Sequence, residues 1–191
     1  FPTRRSSDLY NSYQCVRERT HSVGRYSGGI AVYVRQSIST RFTRIHEEWS
    51  DCIFFSSDIL QDLVNTPTIF GFVYVTDTQN SDDGLSGIGL LESRLYTLAM
   101  EFPGAAFVLL GDFNDRIGTE QCYIEQDSTD YLPIDDVDYC SDSFDIPRTS
   151  KDKILNAEGS KLLDICRNFN MHVLNGRNGK DKKGEFTFIG H

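Results

Sequence analysis

Residues 105–114, which read AAFVLLGDFN, are the most informative stretch of this chain. Residues 105–110 show no alternation of polar and apolar side chains, so they predict a strand covered on both faces, as in the centre of a sheet. Gly111 ends this run, and Asp112 and Asn114 follow it, two residues apart. In an extended segment their side chains would point the same way. The stretch therefore predicts two polar groups at the end of a central strand, where rigid elements often present reactive groups.

Asp112 and Asn114 together suit the hydrolysis of a phosphodiester. A carboxylate can orient and deprotonate water, and an amide can donate a hydrogen bond to the phosphate or to the charge that develops on it. Gly, Asp and Asn are also the commonest turn formers. From these residues alone, a turn is the favoured interpretation.

Strands and helices are predicted to alternate along the chain, which favours an α/β layered architecture. Strand-like runs lie at residues 30–35, 52–56, 68–75, 171–174 and 186–189, and the first three suggest a meander. A helix is predicted before residue 103 from apolar residues at steps of three and four, namely Ile88, Leu91, Leu95, Leu98 and Phe102. Asn156 is expected to cap a second helix, with an inward face of Leu162, Leu163, Ile165, Cys166 and Phe169.

The composition is typical of one soluble globular domain. Of 191 residues, 39% are hydrophobic and 25% are charged, which is enough apolar material for a core. No apolar run approaches the roughly 20 residues that cross a bilayer, so we expect no membrane segment. The five cysteines are widely spread without the short spacings of a zinc site. We interpret them as reduced thiols in an intracellular protein.

The net charge of −9 argues against non-specific electrostatic binding to nucleic acid, because such binding depends on Lys and Arg. The acidic excess is local, however, because residues 120–145 contain many carboxylates and no basic residue. We expect an acidic surface loop at about residues 119–153.

Residues 1–9, FPTRRSSDL, look like a translated sequencing adapter joined to a truncated reading frame. An ordinary polar tail is the alternative. In either case these residues are left out of the fold, and residues 10–191 are treated as one partial domain.

Several segments resemble the endonuclease/exonuclease/phosphatase superfamily. LLGDFN at residues 109–114 resembles its strand and GDFN motif, and GGIAVYVR at residues 28–35 looks like one of its strands. LNGR at residues 174–177 and GEFTFIG at residues 184–190 are similar to the branch encoded by non-LTR (LINE-type) retrotransposons. In this order, the segments extend over nearly the whole chain after residue 9.

The resemblance implies a DNase I-like fold, a four-layer α/β sandwich in which two packed mixed sheets are flanked by helices, here truncated at both ends. It implies magnesium-dependent attack of water on a phosphodiester, in which Mn²⁺ could replace Mg²⁺. Asp112 would then orient or deprotonate the nucleophile, and Asn114 would bind the scissile phosphate. Asp112 is also the one weak candidate for a metal ligand.

Tyr74 fills the place of a family Tyr whose hydroxyl contacts the phosphate. The prolines that follow this Tyr in the family are Thr76 and Asp77 here, and a Tyr with its ring in the core is an equal alternative. The family's metal-binding Glu lies upstream of residues 28–35, and its last Asp and His lie downstream of residues 184–190. Because neither is in this chain, we expect the fragment itself to be inactive or nearly so.

The leading hypothesis is a DNA endonuclease that nicks target DNA, so that the 3′ hydroxyl primes reverse transcription. The resemblance implies that the parent polypeptide continues into a reverse transcriptase and acts in the nucleus. Two alternatives stay open: a phosphatase or lipid phosphodiesterase of the same superfamily, and a non-catalytic degenerate copy. The oligomeric state is not predicted.

Other candidates carry weaker signals. Lys180, Lys182 and Lys183 could contact DNA or form a solvated turn. His46 is expected to be solvated, and His172 is expected to be a hydrogen-bonded core residue in a strand.

Overall fold

The fold is taken from a computed structural model, which describes residues 9–16, 29–49, 51–75, 87–124, 146–177 and 179–186. The chain divides into two compact units, Phe1–Asn114 and Asp115–His191.

The first unit contains six strands and three helices among its described residues. The strands are β1 (Tyr10–Val16), β2 (Gly29–Arg35), β3 (Phe42–Ile45), β4 (Cys52–Ser57), β5 (Thr68–Tyr74) and β6 (Ala106–Asp112). The helices are two single turns, α1 (Gln36–Ser39) and α2 (Gln61–Val64), and the longer α3 (Gly87–Glu101).

These strands form two sheets. β1 and β2 are an antiparallel pair, and the other sheet has the order β3-β4-β5-β6. β5 and β6 run parallel, while the remaining neighbours are antiparallel. Parallel neighbours need a crossover connection, and α3 lies in the connection between them. The predicted α/β class, with two sheets and flanking helices, is thereby confirmed.

The two sheets share one core. It contains Cys15, Val32, Val34, Ile53 and Phe55, with partly buried apolar side chains packed around them. Phe55 is fully buried, and the rings of Tyr13, Phe42 and Phe72 meet it edge to face. Each such pair adds about 0.5–1.5 kcal/mol beyond the burial of its area. The Tyr13–Phe55 pair joins the two sheets, whereas Phe42 and Phe72 contact Phe55 from neighbouring strands of the same sheet.

α3 contacts the opposite face of the four-stranded sheet. Cys52 precedes Ile53 in β4, so its side chain points away from the core shared by the sheets. Arg94 of α3 donates to Cys52 Sγ and pairs with Asp51. The predicted apolar face is confirmed for Ile88, Leu91, Leu95 and Leu98, which are all buried, whereas Phe102 follows the helix and is half-buried.

The second unit is built around α4 (Ala157–Asn168). Asn156 caps this helix as predicted, since its side chain accepts from the backbone N of Gly159 at 2.7 Å. The predicted inward residues Leu162, Leu163, Ile165 and Cys166 are buried. Leu163 and Cys166 pack against Cys122.

Two arginines are buried in the same unit. Arg148 donates to the carbonyls of Gly118 and Glu120, and Arg177 donates to Val173 O, Gln121 Oε1 and Cys122 Sγ. Arg177, which belongs to the LNGR segment, is only 2% exposed. The loops of this unit are thus held together by hydrogen bonds between their backbone carbonyls and the two buried guanidinium groups.

Two predictions about the positions of strands in the sheets were wrong. The meander does not include β2, because β2 pairs with β1 and the described meander is β3-β4-β5. β6 is not central, since it is the last strand in its sheet among the described residues and Leu110 is 43% exposed. An apolar run indicates that a strand is buried, but it does not reveal whether the strand has a neighbour on both sides.

Residues 171–174 form no strand. Their backbone groups are satisfied elsewhere: Met171 N donates to Cys166 O at 2.7 Å and Val173 N donates to Cys122 Sγ at 3.2 Å. Of the last predicted strand, Phe186 has no strand geometry and residues 187–189 lie outside the described part of the chain.

The acidic loop is described in part. Residues 119–124 and 146–153 form turns and irregular structure, and residues 125–145 lie outside the described ranges. Within the described residues, no helix combines the length and the apolar character that spanning a bilayer requires.

Candidate active site at the ends of β5 and β6

Tyr74 and Asp112 lie side by side at the end of two parallel strands. Tyr74 is the last residue of β5, Asp112 is the last residue of β6, and the two are partners in the strand register. Val75 N donates to Asp112 O at 2.9 Å, so the pairing continues one residue beyond β5. The carboxyl ends of parallel strands are the usual place for ligands in α/β sheets.

Asn114 is brought to the same place by a tight turn. Its backbone has a φ of 53°, in the left-handed region that Asn tolerates better than most residues. Asp112 Oδ1 accepts from Asn114 N at 2.9 Å, and Asn114 Nδ2 donates to Val75 O at 2.6 Å. The structure therefore gathers all three predicted residues at one sheet edge.

The expected geometry of Asp112 and Asn114 was nevertheless wrong. They do not lie two apart in an extended segment, because the chain turns at Asn114. The turn that the residue types favoured is present, and the carboxylate of Asp112 helps to close it. The residues that form the turn are therefore also residues of the candidate site.

Gly111 has a role that sequence patterns did not reveal. Its φ is 139°, and a Cβ at this position would overlap the backbone carbonyl of Val73 on β5. Only glycine allows β5 and β6 to approach this closely while the backbone takes that conformation. Gly111 thereby sets the spacing that puts Asp112 beside Tyr74.

Part of the bonding capacity of the site is used internally. A carboxylate has two oxygens and a side-chain amide has two N–H groups. Oδ1 of Asp112 is occupied by the turn, and one amide hydrogen of Asn114 is occupied by Val75 O. Asp112 is exposed and Tyr74 is half-buried. Asp112 Oδ2 and the second amide hydrogen are the groups this arrangement leaves for a ligand.

The described residues offer one carboxylate to a metal here. No group of three or more His, Cys, Asp or Glu side chains comes together among them. Mg²⁺ commonly keeps several waters and binds through one or two carboxylates plus substrate phosphate. Asp112 fits such a hydrated ion, whereas an all-protein cage is not formed by the described part of the chain.

The candidate site lies outside the two concavities found among the described residues of this structure. The two best-defined concavities are lined elsewhere, one around Arg41 and Asp58 and the other around Tyr123 and Arg167. Neither includes Tyr74, Asp112 or Asn114.

His46 is partly buried and hydrogen-bonded to two carboxylates, whereas we expected a solvated side chain. Its Nδ1 lies 2.9 Å from Glu48 Oε1, its Nε2 lies 2.7 Å from Glu101 Oε2, and its ring stacks on Trp49 at 4.1 Å. Burial lowers the pKa of His46, but the hydrogen bonds and charges of the two carboxylates outweigh it and raise the pKa above the ordinary 6.5. His46 therefore ties the β3–β4 connection to the end of α3.

His172 is partly buried and lies 3.9 Å from Cys122 Sγ, outside any strand. Four cysteines are free and buried, namely Cys15, Cys52, Cys122 and Cys166. Burial raises the pKa of Cys52 and of Cys166 to about 12, so these two are inert thiols. Cys140 lies outside the described residues.

Comparison with family models, with curated proteins and with solved structures found no match to this chain.

Proposed function

We propose that this chain is part of a magnesium-dependent phosphodiesterase that nicks DNA, as in the endonucleases of LINE-type retrotransposons. The observation that carries the proposal is the convergence of Tyr74, Asp112 and Asn114 at the carboxyl ends of β5 and β6. The motif resemblance supplies the class of reaction. The same proposal includes a DNase I-like fold, a parent polypeptide that continues into a reverse transcriptase, and action in the nucleus.

Asp112 is the residue that would handle the nucleophile. Its exposed carboxylate is fixed by the N–H of Asn114, so its second oxygen is held in one direction. A water hydrogen-bonded to that oxygen would be oriented and partly deprotonated as it attacks phosphorus. General-base assistance of this kind contributes about 10²–10⁴-fold in rate.

Asn114 and Tyr74 would stabilise the phosphate. The amide of Asn114 is anchored by Val75 O, so its second N–H is a preorganised donor. The Tyr74 hydroxyl is a further donor from the neighbouring strand. Preorganised donors are effective because they need not reorient as negative charge develops on the phosphate oxygens.

Magnesium, when bound, would supply charge stabilisation on the phosphate and acidify water, and Mn²⁺ could replace it. Asp112 is the described residue that would hold it. The exposed position of its carboxylate leaves room for the water and phosphate ligands that Mg²⁺ retains.

A non-catalytic, degenerate copy is the second candidate, and one observation favours it. Asp112 and Asn114 already satisfy each other and Val75 within a turn, so they have a structural role without any substrate. A phosphatase or lipid phosphodiesterase would use the same three residues on a smaller substrate.

The decisive variant is Asp112→Asn. The amide oxygen of Asn can still accept from Asn114 N, so the turn is kept while the charge is removed. Supercoiled plasmid should be incubated with the chain, and with a version extended at both ends from the source transcript, with and without Mg²⁺. We expect magnesium-dependent nicking by the extended version and a loss of at least about 100-fold in its Asp112→Asn variant.

Asp62→Asn is the matched control, because Asp62 is an exposed carboxylate on α2 of the same unit. Nicking should survive this change. Equal nicking by the Asp112→Asn variant and the unsubstituted protein would refute the proposed role of Asp112. An extended version that never nicks DNA but hydrolyses small phosphate esters would favour the phosphatase, and one inactive on both would favour the degenerate copy.

A further inference from the structure

The segment from Gly179 to Phe186 is a turn that is held by hydrogen bonds and that carries three exposed lysines, Lys180, Lys182 and Lys183. Asp181 lies inside the turn, where Oδ1 accepts from Glu185 N at 2.7 Å and Oδ2 accepts from Gly176 N at 3.0 Å. These two hydrogen bonds lower the pKa of Asp181. The one acidic residue among the lysines is therefore committed to holding the backbone.

The turn is also attached to the segment around Thr149. Thr149 Oγ1 donates to Lys182 O at 2.7 Å, and Lys151 N donates to Gly184 O at 2.9 Å. Lys151 Nζ pairs with Glu185 at 2.6 Å. A charged turn that is simply solvated does not need such anchoring, so the lysines sit on a preorganised loop.

The carboxylates near the loop are already neutralised. Glu185 is paired with Lys151, and Asp152 is held by Arg116 through two hydrogen bonds of 2.7 and 2.8 Å. Among the described residues, no carboxylate lies within ion-pair distance of Lys180, Lys182 or Lys183. In a chain with a net charge of −9, the three lysines outnumber Asp181, the one carboxylate inside the turn, and form a local surface of positive charge.

We propose that Lys180, Lys182 and Lys183 form a docking surface for the phosphate backbone of a nucleic acid. Flexible ammonium groups on a fixed loop suit contacts to phosphates, which position a duplex without reading its sequence. The choice of nucleic acid over other polyanions rests on the proposed function. The surface itself is independent of Asp112.

The test is the salt dependence of binding. A labelled DNA duplex is titrated with the full chain at several NaCl concentrations, and log K is plotted against log[NaCl]. Each lysine that neutralises a phosphate contributes about 0.9 to the magnitude of the slope. We expect Lys180→Gln/Lys182→Gln/Lys183→Gln to reduce the magnitude of the slope by about 2–3 and to weaken binding.

Two control variants separate charge from folding. Lys161→Gln removes a lysine of α4 that is paired with Glu158, and it should leave the slope unchanged. Lys180→Arg/Lys182→Arg/Lys183→Arg keeps the charges and should keep the slope. If the triple Gln variant fails to fold by circular dichroism, the three single Gln variants replace it, each with an expected reduction of about 1.

An unchanged slope in the Gln variants would overturn the inference, as would tighter binding to phosphatidylserine vesicles than to DNA. The outcome is separable from the proposed function. Asp112→Asn should bind DNA with the slope of the unsubstituted chain. DNA binding by the lysines can therefore be confirmed even if no nicking is observed, and nicking can be confirmed even if the lysines do not bind DNA.

Discussion

Replacing Gly111 with Ala should destabilise the first unit strongly, because a side chain at this position would collide with the backbone of β5. The added Cβ would overlap the carbonyl of Val73, and the backbone φ of 139° disfavours any side chain. The conformation alone costs about 1–3 kcal/mol. Relieving the overlap requires the strands to separate locally, and losing one or two of their hydrogen bonds adds about 1 kcal/mol each. The expected loss is about 2–5 kcal/mol.

Gly104→Ala is a matched control for this change. Gly104 also has a positive φ, 76°, but nothing lies within 4 Å of a Cβ there. Its substitution should therefore cost only the conformational part, about 1–2 kcal/mol. The difference between the two variants isolates the steric overlap with Val73.

Urea denaturation followed by tryptophan fluorescence measures both variants. Trp49 is the only tryptophan in the sequence and belongs to the first unit, so its emission reports on the unit that contains both glycines. Since domains of this size have about 5–15 kcal/mol of stability, a loss of about 2–5 kcal/mol is easily resolved. If Gly111→Ala and Gly104→Ala differ by less than about 1 kcal/mol, the close approach of the strands at Gly111 does not constrain the residue.

Two further predictions concern pH and helix capping. Because the pKa of His46 is raised in the folded state, the stability that it contributes should be complete below its ordinary value of 6.5 and should fall as pH rises through the folded pKa. Denaturation curves across this pH range should show the loss of stability. Trp49 emission should increase over the same interval, because the imidazolium beside it is neutralised. His46→Gln should remove both effects, and a pH-independent stability would contradict the argument. Asn156→Ala should cost about 1 kcal/mol, because Asn156 Oδ1 accepts from Gly159 N and Arg116 N, whereas Asn156→Asp should be nearly neutral. Thermal denaturation followed by circular dichroism checks this, and equal losses in the two variants would show that the side-chain acceptor is not what matters.

The elements that sequence patterns predicted are those with strong local signals. α3 and α4 were predicted because a helix places apolar residues on one face at steps of three and four, and each had a clear end or cap. β4 and β5 were predicted from runs of β-branched and aromatic residues. In each case the information lies within a few residues of the chain.

What could not be predicted depends on partners distant in sequence. β1 is polar along much of its length, and it became recognisable only as the partner of β2. The position of β6 as the last strand of its sheet among the described residues, and the lack of a strand at residues 171–174, depend on which groups meet in space. The buried roles of Arg148 and Arg177 were also hidden, since a basic side chain is usually exposed.

The candidate site shows the same division. Residue types and the GDFN resemblance select Asp112 and Asn114, whose polar groups follow an apolar strand, whereas Tyr74 is selected by the family resemblance alone. The need for glycine at 111 and the hydrogen bond from Asn114 to Val75 could not be read from the sequence. Both depend on the register between β5 and β6.

The parallel pairing of β5 and β6 also has a consequence for the order of folding. β3, β4 and β5 can pair through short connections, whereas β6 joins β5 only after the chain from Val75 to Ala105, including α3, has returned to the sheet. Contacts between residues far apart in sequence have the largest loop-closure entropy cost, which arises before the contacts contribute any stabilisation. Such contacts therefore form late. We therefore expect Tyr74 and Asp112 to meet near the end of folding, so that substitutions at this edge accelerate unfolding more than they slow folding.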